Sequence, residues 1–122
     1  NNMASYKDMI VFKKAFELAM DILEVSKKFP KEETYSLTDQ IRRSSRTNYV
    51  NFAEAYRKRR YIAHFISKLT DCDGENSETD VWITFAFACK YIFEEDFKRL
   101  SEKNAEVGKM LGHMLQNPEK YL

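Results

Sequence analysis

The chain has 122 residues, 43% hydrophobic and 14% aromatic, with 20 Lys and Arg against 19 Asp and Glu for a formal net charge of +1. That size and apolar content suit one domain with a core of its own and exclude a disordered tail. The near-neutral balance excludes a polycation that coats nucleic acid indiscriminately, so any basic site must be local.

No apolar run approaches the roughly 18 to 20 residues of a membrane span. The opening NNMASYKDM lacks the charged-then-apolar layout of a secretory signal. A cytoplasmic location without a membrane partner is the expectation. Asn1 and Asn2 before Met3 read as an expression remnant, and residues 1–5 are expected to be disordered or part of that remnant.

Only three Gly and two Pro occur, and no alternating β-rich run is bounded by turn residues, so the pattern is helical almost throughout. A first helix is predicted from about Tyr6 to Lys28. Val11, Ala15, Leu18, Ile22, Val25 and Phe29 form one seam, with a second of Phe12, Phe16, Ala19 and Leu23 beside it, which calls for burial against more than one neighbour. Pro30 ends it, and KEETYS is the first connection. A second helix is predicted from Ser36 or Leu37 to about Arg57, with Ser36 three residues before Asp39 as a loose cap. Its apolar positions recur through Leu37, Ile41, Ser45, Asn48, Phe52 and Tyr56, so that face is partly polar. A third helix is predicted from about Tyr61 to Lys90, with Gly74 a weak point or a close approach, and a fourth from about Glu94 to Gln116, stopped by Asn117 and Pro118. Connections this short force neighbours to alternate in direction, which predicts an all-α, antiparallel up-down-up-down four-helix bundle in a single domain. Gly108 and Gly112, four apart, are either tolerated or mark a packing or subunit contact. Cys72 and Cys89 lie 17 residues apart on one predicted helix, roughly 25 Å at about 1.5 Å per residue, too far for a disulfide. They read as small packing residues of a reducing compartment.

The segments SYKDMIVFKKAFELA and KKFPKEETYSLTDQIRRSS, with Asn51, Ala53 and Glu54 on the second helix and Phe65 and Glu75 on the third, resemble the four-helix-bundle family encoded in intervening sequences of bacterial 23S ribosomal RNA genes. Phe12 stands where that family usually has Trp, Ala55 where it prefers Gly, and Arg46, Asn48 and Tyr49 replace a more apolar, proline-bearing stretch. The resemblance implies a ring-like homopentamer, similar to accessory proteins of diversity-generating retroelements that bind nucleic acid and partner a reverse transcriptase.

The residues themselves point to charge as the only candidate chemistry. Arg42, Arg46, Arg57 and Arg60 fall on one face if the second helix continues that far, with Tyr49 beside them, a pattern suited to phosphate contact and base stacking. Asp71, Asp73, Glu75, Glu78 and Asp80 on the third helix could oppose it. Arg42 and Arg43 come level with Glu75 and Glu78 and are expected as structural ion pairs, and Arg46 comes level with Asp73. Arg46, Arg57, Lys58, Arg59 and Arg60 are the candidate nucleic-acid-binding residues, the last four having no acidic block opposite them. Gln40, Ser44, Thr47, Asn51 and Ala55, with Glu54, form a small polar stripe expected inside the bundle or between subunits, facing Asn76 and Thr79.

No P-loop, Gly-rich dinucleotide turn, Cys-x-x-Cys pair or His-Glu-x-x-His helix occurs, and neither His64 nor His113 has a Glu three residues before it. No metal, cofactor or enzymatic activity is expected. The primary expectation is an oligomer that binds RNA or other nucleic acid through a basic hairpin tip repeated around a ring. The alternatives are a structural or protein-docking module, supported by Trp82, Phe85, Phe87, Tyr91 and Phe93, and a ribonuclease resembling HEPN domains through Arg59 and His64.

Overall fold

The apolar seams of the N-terminal third wind into one helix, α1 (Ile10–Ser26), in the computed structural model, which describes residues 9–122. The helix start expected at Tyr6, and the expectations for residues 1–5, lie outside the described residues. Three more helices follow: α2 (Asp39–Arg57), α3 (Ile62–Ala88) and α4 (Glu94–Gln116). No β-strand occurs among the described residues.

Contacts between the helices run in opposite chain order. Lys14 pairs with Glu106, Lys103 with Glu17 and Asp21, and Arg99 with Asp21, so α1 and α4 are antiparallel. Phe12 meets Phe52 and Tyr56, while Ser26 meets Arg42, which sets α1 against α2. Lys68 reaches Glu54, Cys72 lies against Asn48, and Thr79 bonds Ser44, which sets α2 against α3. Asn76 meets Asn104 and Phe87 stacks on Phe97, which sets α3 against α4.

The first connection is more ordered than its composition suggests. A 3₁₀ turn (Lys31–Glu33) passes into a π-helical turn (Thr34–Thr38) that feeds α2 directly. Glu33, not Ser36, does the capping: its carboxylate accepts from the Leu37 N–H and from the Ser36 hydroxyl at 2.6 Å, and from the Tyr91 hydroxyl at 2.8 Å. These bonds hold the Glu33 carboxyl below its ordinary range and push the Tyr91 phenol up to about 12.

The core is divided. Toward one end Val11, Phe12, Ala15, Phe52, Ala55, Phe65, Leu69, Cys72, Val107, Leu111 and Met114 pack together, and toward the other Leu18, Ile22, Phe29, Leu37, Ile41, Ile83, Ala86, Ile92 and Leu100. Between them lies a buried polar layer of Ser44, Ser45 and Asn48 from α2, Asn76 and Thr79 from α3, and Asn104 from α4. Asn76 Nδ2 donates to the Asn104 carbonyl at 3.0 Å and to its Oδ1 at 2.9 Å, and Asn104 Nδ2 donates to the Asn76 carbonyl at 3.0 Å. Thr79 donates to Ser44 at 2.8 Å. The polar stripe of α2 is thus internal at Ser44 and Asn51, but only Thr79 faces it; Asn76 turns to α4 instead.

Gly108 answers to that layer: a Cβ built there would stand 2.7 Å from Asn76 Oδ1, whereas at Gly74 and Gly112 it would meet nothing within 4 Å. Lys90 closes α3 at a positive φ of 63°, with the Tyr91 N–H reaching back to the Ala86 carbonyl at 2.9 Å, the position where helices favour glycine. Of the two cysteines, Cys72 is a buried packing residue as expected; Cys89, just past the last residue of α3, is exposed.

Urea denaturation should therefore separate the glycines. Gly112→Ala gains up to about 1 kcal/mol of helix propensity, while Gly108→Ala displaces a doubly bonded asparagine and is expected to lose about 1–3 kcal/mol relative to it. Equal midpoints for the two variants would contradict the packing described. Lys90→Gly is expected to stabilise the protein by about 0.5–1 kcal/mol by relieving the left-handed backbone.

Candidate nucleic-acid interface

Adjacent residues of a helix point about 100° apart, and that rotation separates Arg42 from Arg43. Arg43 turns toward α3, where its guanidinium pairs with Glu75 at 3.1 Å and with Glu78. Arg42 was expected to join this pairing but turns the other way, donating from Nε to the Ser26 hydroxyl of α1 at 2.7 Å. Trp82 Nε1 donates to the same Glu78 carboxylate at 3.0 Å. The Trp82 bond first, and then Arg43, hold the Glu78 carboxyl below its ordinary value of 4.5 against the opposing effect of burial. The Arg43 guanidinium is correspondingly raised, chiefly by Glu75.

The remaining basic residues fall into two places. Arg46 is exposed and makes no ion pair among the described residues; nor does Asp73, expected level with it. It lies eleven residues before Arg57, about 16 Å along α2 at ~1.5 Å per residue, so the structure does not bring it to the tip. α2 ends at Arg57, and residues 58–61 form a turn closed by the Tyr61 N–H on the Lys58 carbonyl at 3.0 Å. The single helical face expected to run on to Arg60 therefore breaks at Arg57. Arg59 folds back: its guanidinium lies 3.6 Å from the Tyr56 ring centroid and its Nε donates to the Tyr56 carbonyl at 2.8 Å. Arg57, Lys58 and Arg60 make no ion pair among the described residues. Glu54, the nearest carboxylate on α2, is taken by Lys68 at 3.1 Å.

Tyr49, expected beside the arginines as a stacking ring, instead packs on Phe12 and Phe16 of α1, with centroids 5.9 and 5.7 Å away. A different aromatic occupies the tip. Tyr61, the residue before α3, is 61% exposed, and its ring neighbour is His64, one helical turn on and also exposed, with centroids 5.9 Å apart. The signal for it was an aromatic set directly after a basic run at a helix boundary.

Among the described residues no group of three or more His, Cys, Asp or Glu could hold a metal ion. Burial pushes the Cys72 thiol far up, out of reach of the thiolate form. Among the described residues no helix is long and apolar enough to cross a membrane.

Four antiparallel helices, a polar layer through a divided core and a basic tip whose Arg57, Lys58 and Arg60 make no ion pair among the described residues define an all-α helical-bundle protein. The chain belongs to the 23S rRNA-intervening sequence protein family, whose model matches residues 7–113. It is also similar to a crystal structure from Bacteroides thetaiotaomicron, described as a protein with unknown function from the S23 ribosomal protein family. The two share 28% identity and a TM-score of 0.81 over 90% of this chain and 98% of that one. No curated protein matches the chain.

The Glu78 cluster has an optical reporter, because Trp82 is the sole tryptophan. Folding depresses this carboxyl, so the stability it contributes is present above 4.5 and is lost as pH falls through the lower folded value. Trp82 emission should titrate with a midpoint below 4.5, and Arg43→Gln should move that midpoint upward. At neutral pH the same variant should lose no more than about 1 kcal/mol, because the pair is partly exposed.

Proposed function

We propose that this protein is a non-enzymatic, cytoplasmic homo-oligomer that binds RNA or another nucleic acid through the basic tip formed by Arg57, Lys58 and Arg60, with Arg46 as an outlying contact. One observation carries the reading: these cations have no carboxylate partner among the described residues, whereas Arg43 and Lys68 of the same hairpin are paired and Arg59 is stacked. Cationic groups left without a carboxylate at a hairpin tip are suited to phosphate oxygens. Arg59, the phosphate-holding member of the alternative nuclease pair, is committed to Tyr56, which favours binding over cleavage.

Oligomerisation finds support in two exposed apolar faces. Phe16 and Val50 stand out on α1 and α2, and Val81 and Phe85 on α3. Two unlike faces suit a head-to-tail ring, in which each chain offers one face to the next, and the family resemblance sets the expected number at five. A ring repeats the tip around its axis, so weak contacts add through avidity. The same apolar faces are what a protein-docking module would use, and the experiment below separates the two readings.

Light scattering at micromolar concentration should return five times the 14.5 kDa chain mass, and a monomer would remove the ring. Neutralising three phosphates per tip should lower single-strand affinity by about two log units per log unit of salt. Arg57→Glu with Arg60→Glu should abolish RNA capture from a lysate. Partners that survive both ribonuclease and this variant would favour docking.

A further inference from the structure

We propose that the tip takes single-stranded rather than duplex nucleic acid, with Tyr61 as a stacking platform for an unpaired base and His64 as its support. This inference rests on the basic-tip reading and adds a residue that the charge pattern does not contain.

The other tyrosines near this end are engaged. Tyr49 and Tyr56 pack against Phe12, and the Tyr121 hydroxyl meets the His113 ring. Tyr61 stands outside the core, its hydroxyl without a hydrogen-bond partner among the described residues. The turn that carries it is fixed on both sides, by the Tyr61 N–H on the Lys58 carbonyl at 3.0 Å and by the Phe65 N–H on the Tyr61 carbonyl at 2.9 Å. Phe65 is buried in the core, so the platform is anchored even though its ring is wet. His64 lies beside the ring, its plane inclined 59° and its centroid 5.9 Å away, while Tyr61 remains 61% exposed.

A large ring held in water at the hairpin tip suits a flat apolar partner. Arg57 and Arg60 precede it in the same turn region, so the partner should carry negative charge beside that flat surface. An unpaired nucleotide has both, a π-face and a phosphate. A duplex does not, because its bases are stacked on each other and its outer surface presents phosphate and sugar. The arginines would therefore hold either form, and Tyr61 would distinguish them.

Fluorescence anisotropy with labelled 12-nucleotide oligouridine, oligothymidine and a 12-base-pair RNA duplex tests this on the intact protein, with circular dichroism to verify folding. The two single strands report whether the tip takes RNA or DNA. Tyr61→Ala is expected to weaken single-strand binding about tenfold or more, leave duplex binding within about twofold, and be rescued by Tyr61→Phe. Unchanged single-strand binding in Tyr61→Ala, or an equal loss on the duplex, overturns the stacking platform. If Arg57→Glu with Arg60→Glu abolishes binding while Tyr61→Ala does not, only this inference falls. If the wild-type protein binds none of the three probes, the basic-tip reading falls with it.

Discussion

The buried polar layer across the middle of the bundle is the constraint on which the rest of the structure depends. Apolar seams tolerate sliding, because one leucine contact is much like the next, but amide groups do not. Asn76 and Asn104 exchange three hydrogen bonds, and Thr79 reaches Ser44. Moving α3 by one position against either neighbour would strand several of these groups in the core, at about 1–3 kcal/mol each. Against a net stability of about 5–15 kcal/mol for a domain, such a slip is prohibitive. The layer sets the register of three helices at once, and the two apolar half-cores fill in around it. Asn48 Oδ1 has no hydrogen-bond partner among the described residues, so this specificity carries a local cost.

Register then decides the surface chemistry. With Ser44 fixed opposite Thr79, Arg43 can only come down beside Glu75 and Glu78, and Arg42, one step around the helix, can only face α1. At the far end the same register sets Glu54 against Lys68. Glu54, Glu75 and Glu78 are thereby taken by Lys68 and Arg43, and the positive charge beyond Glu54 has no ion-pair partner on α3 among the described residues.

Much of this was legible in the sequence. Helical periodicity, two prolines and short connections were enough for the four helices and their alternation, because apolar seams and chain breakers are local signals. The opposition of Arg43 to Glu75 and Glu78 was legible because blocks of unlike charge on a hairpin have few ways to meet. What the sequence could not resolve was rotation. Whether Arg42 or Arg43 faces α3, and whether Asn76 meets α2 or α4, depends on angles of about 100° that only packing determines. Tyr49 was misread for the same reason: its spacing placed it with the arginines, and contact with Phe12 and Phe16 drew it to α1. Glu33 was missed as a cap because a π-helical turn shifts the spacing at which caps are sought.

The layout also separates stability from recognition along the bundle axis. Buried amides and both half-cores lie along the shaft, where substitutions would be felt as loss of register. Arg57, Lys58, Arg60, Tyr61 and His64 stand at the end of the α2–α3 hairpin, where the structure asks little of them: none lies in either half-core or makes an ion pair among the described residues. Residues that stability does not constrain are free to diverge with whatever they contact, so relatives sharing this shaft can differ at the tip without strain in the fold. Arg59 is the exception. It stacks on Tyr56, which itself packs on Phe12, so the one arginine of the run tied to the body holds the turn from which its neighbours project.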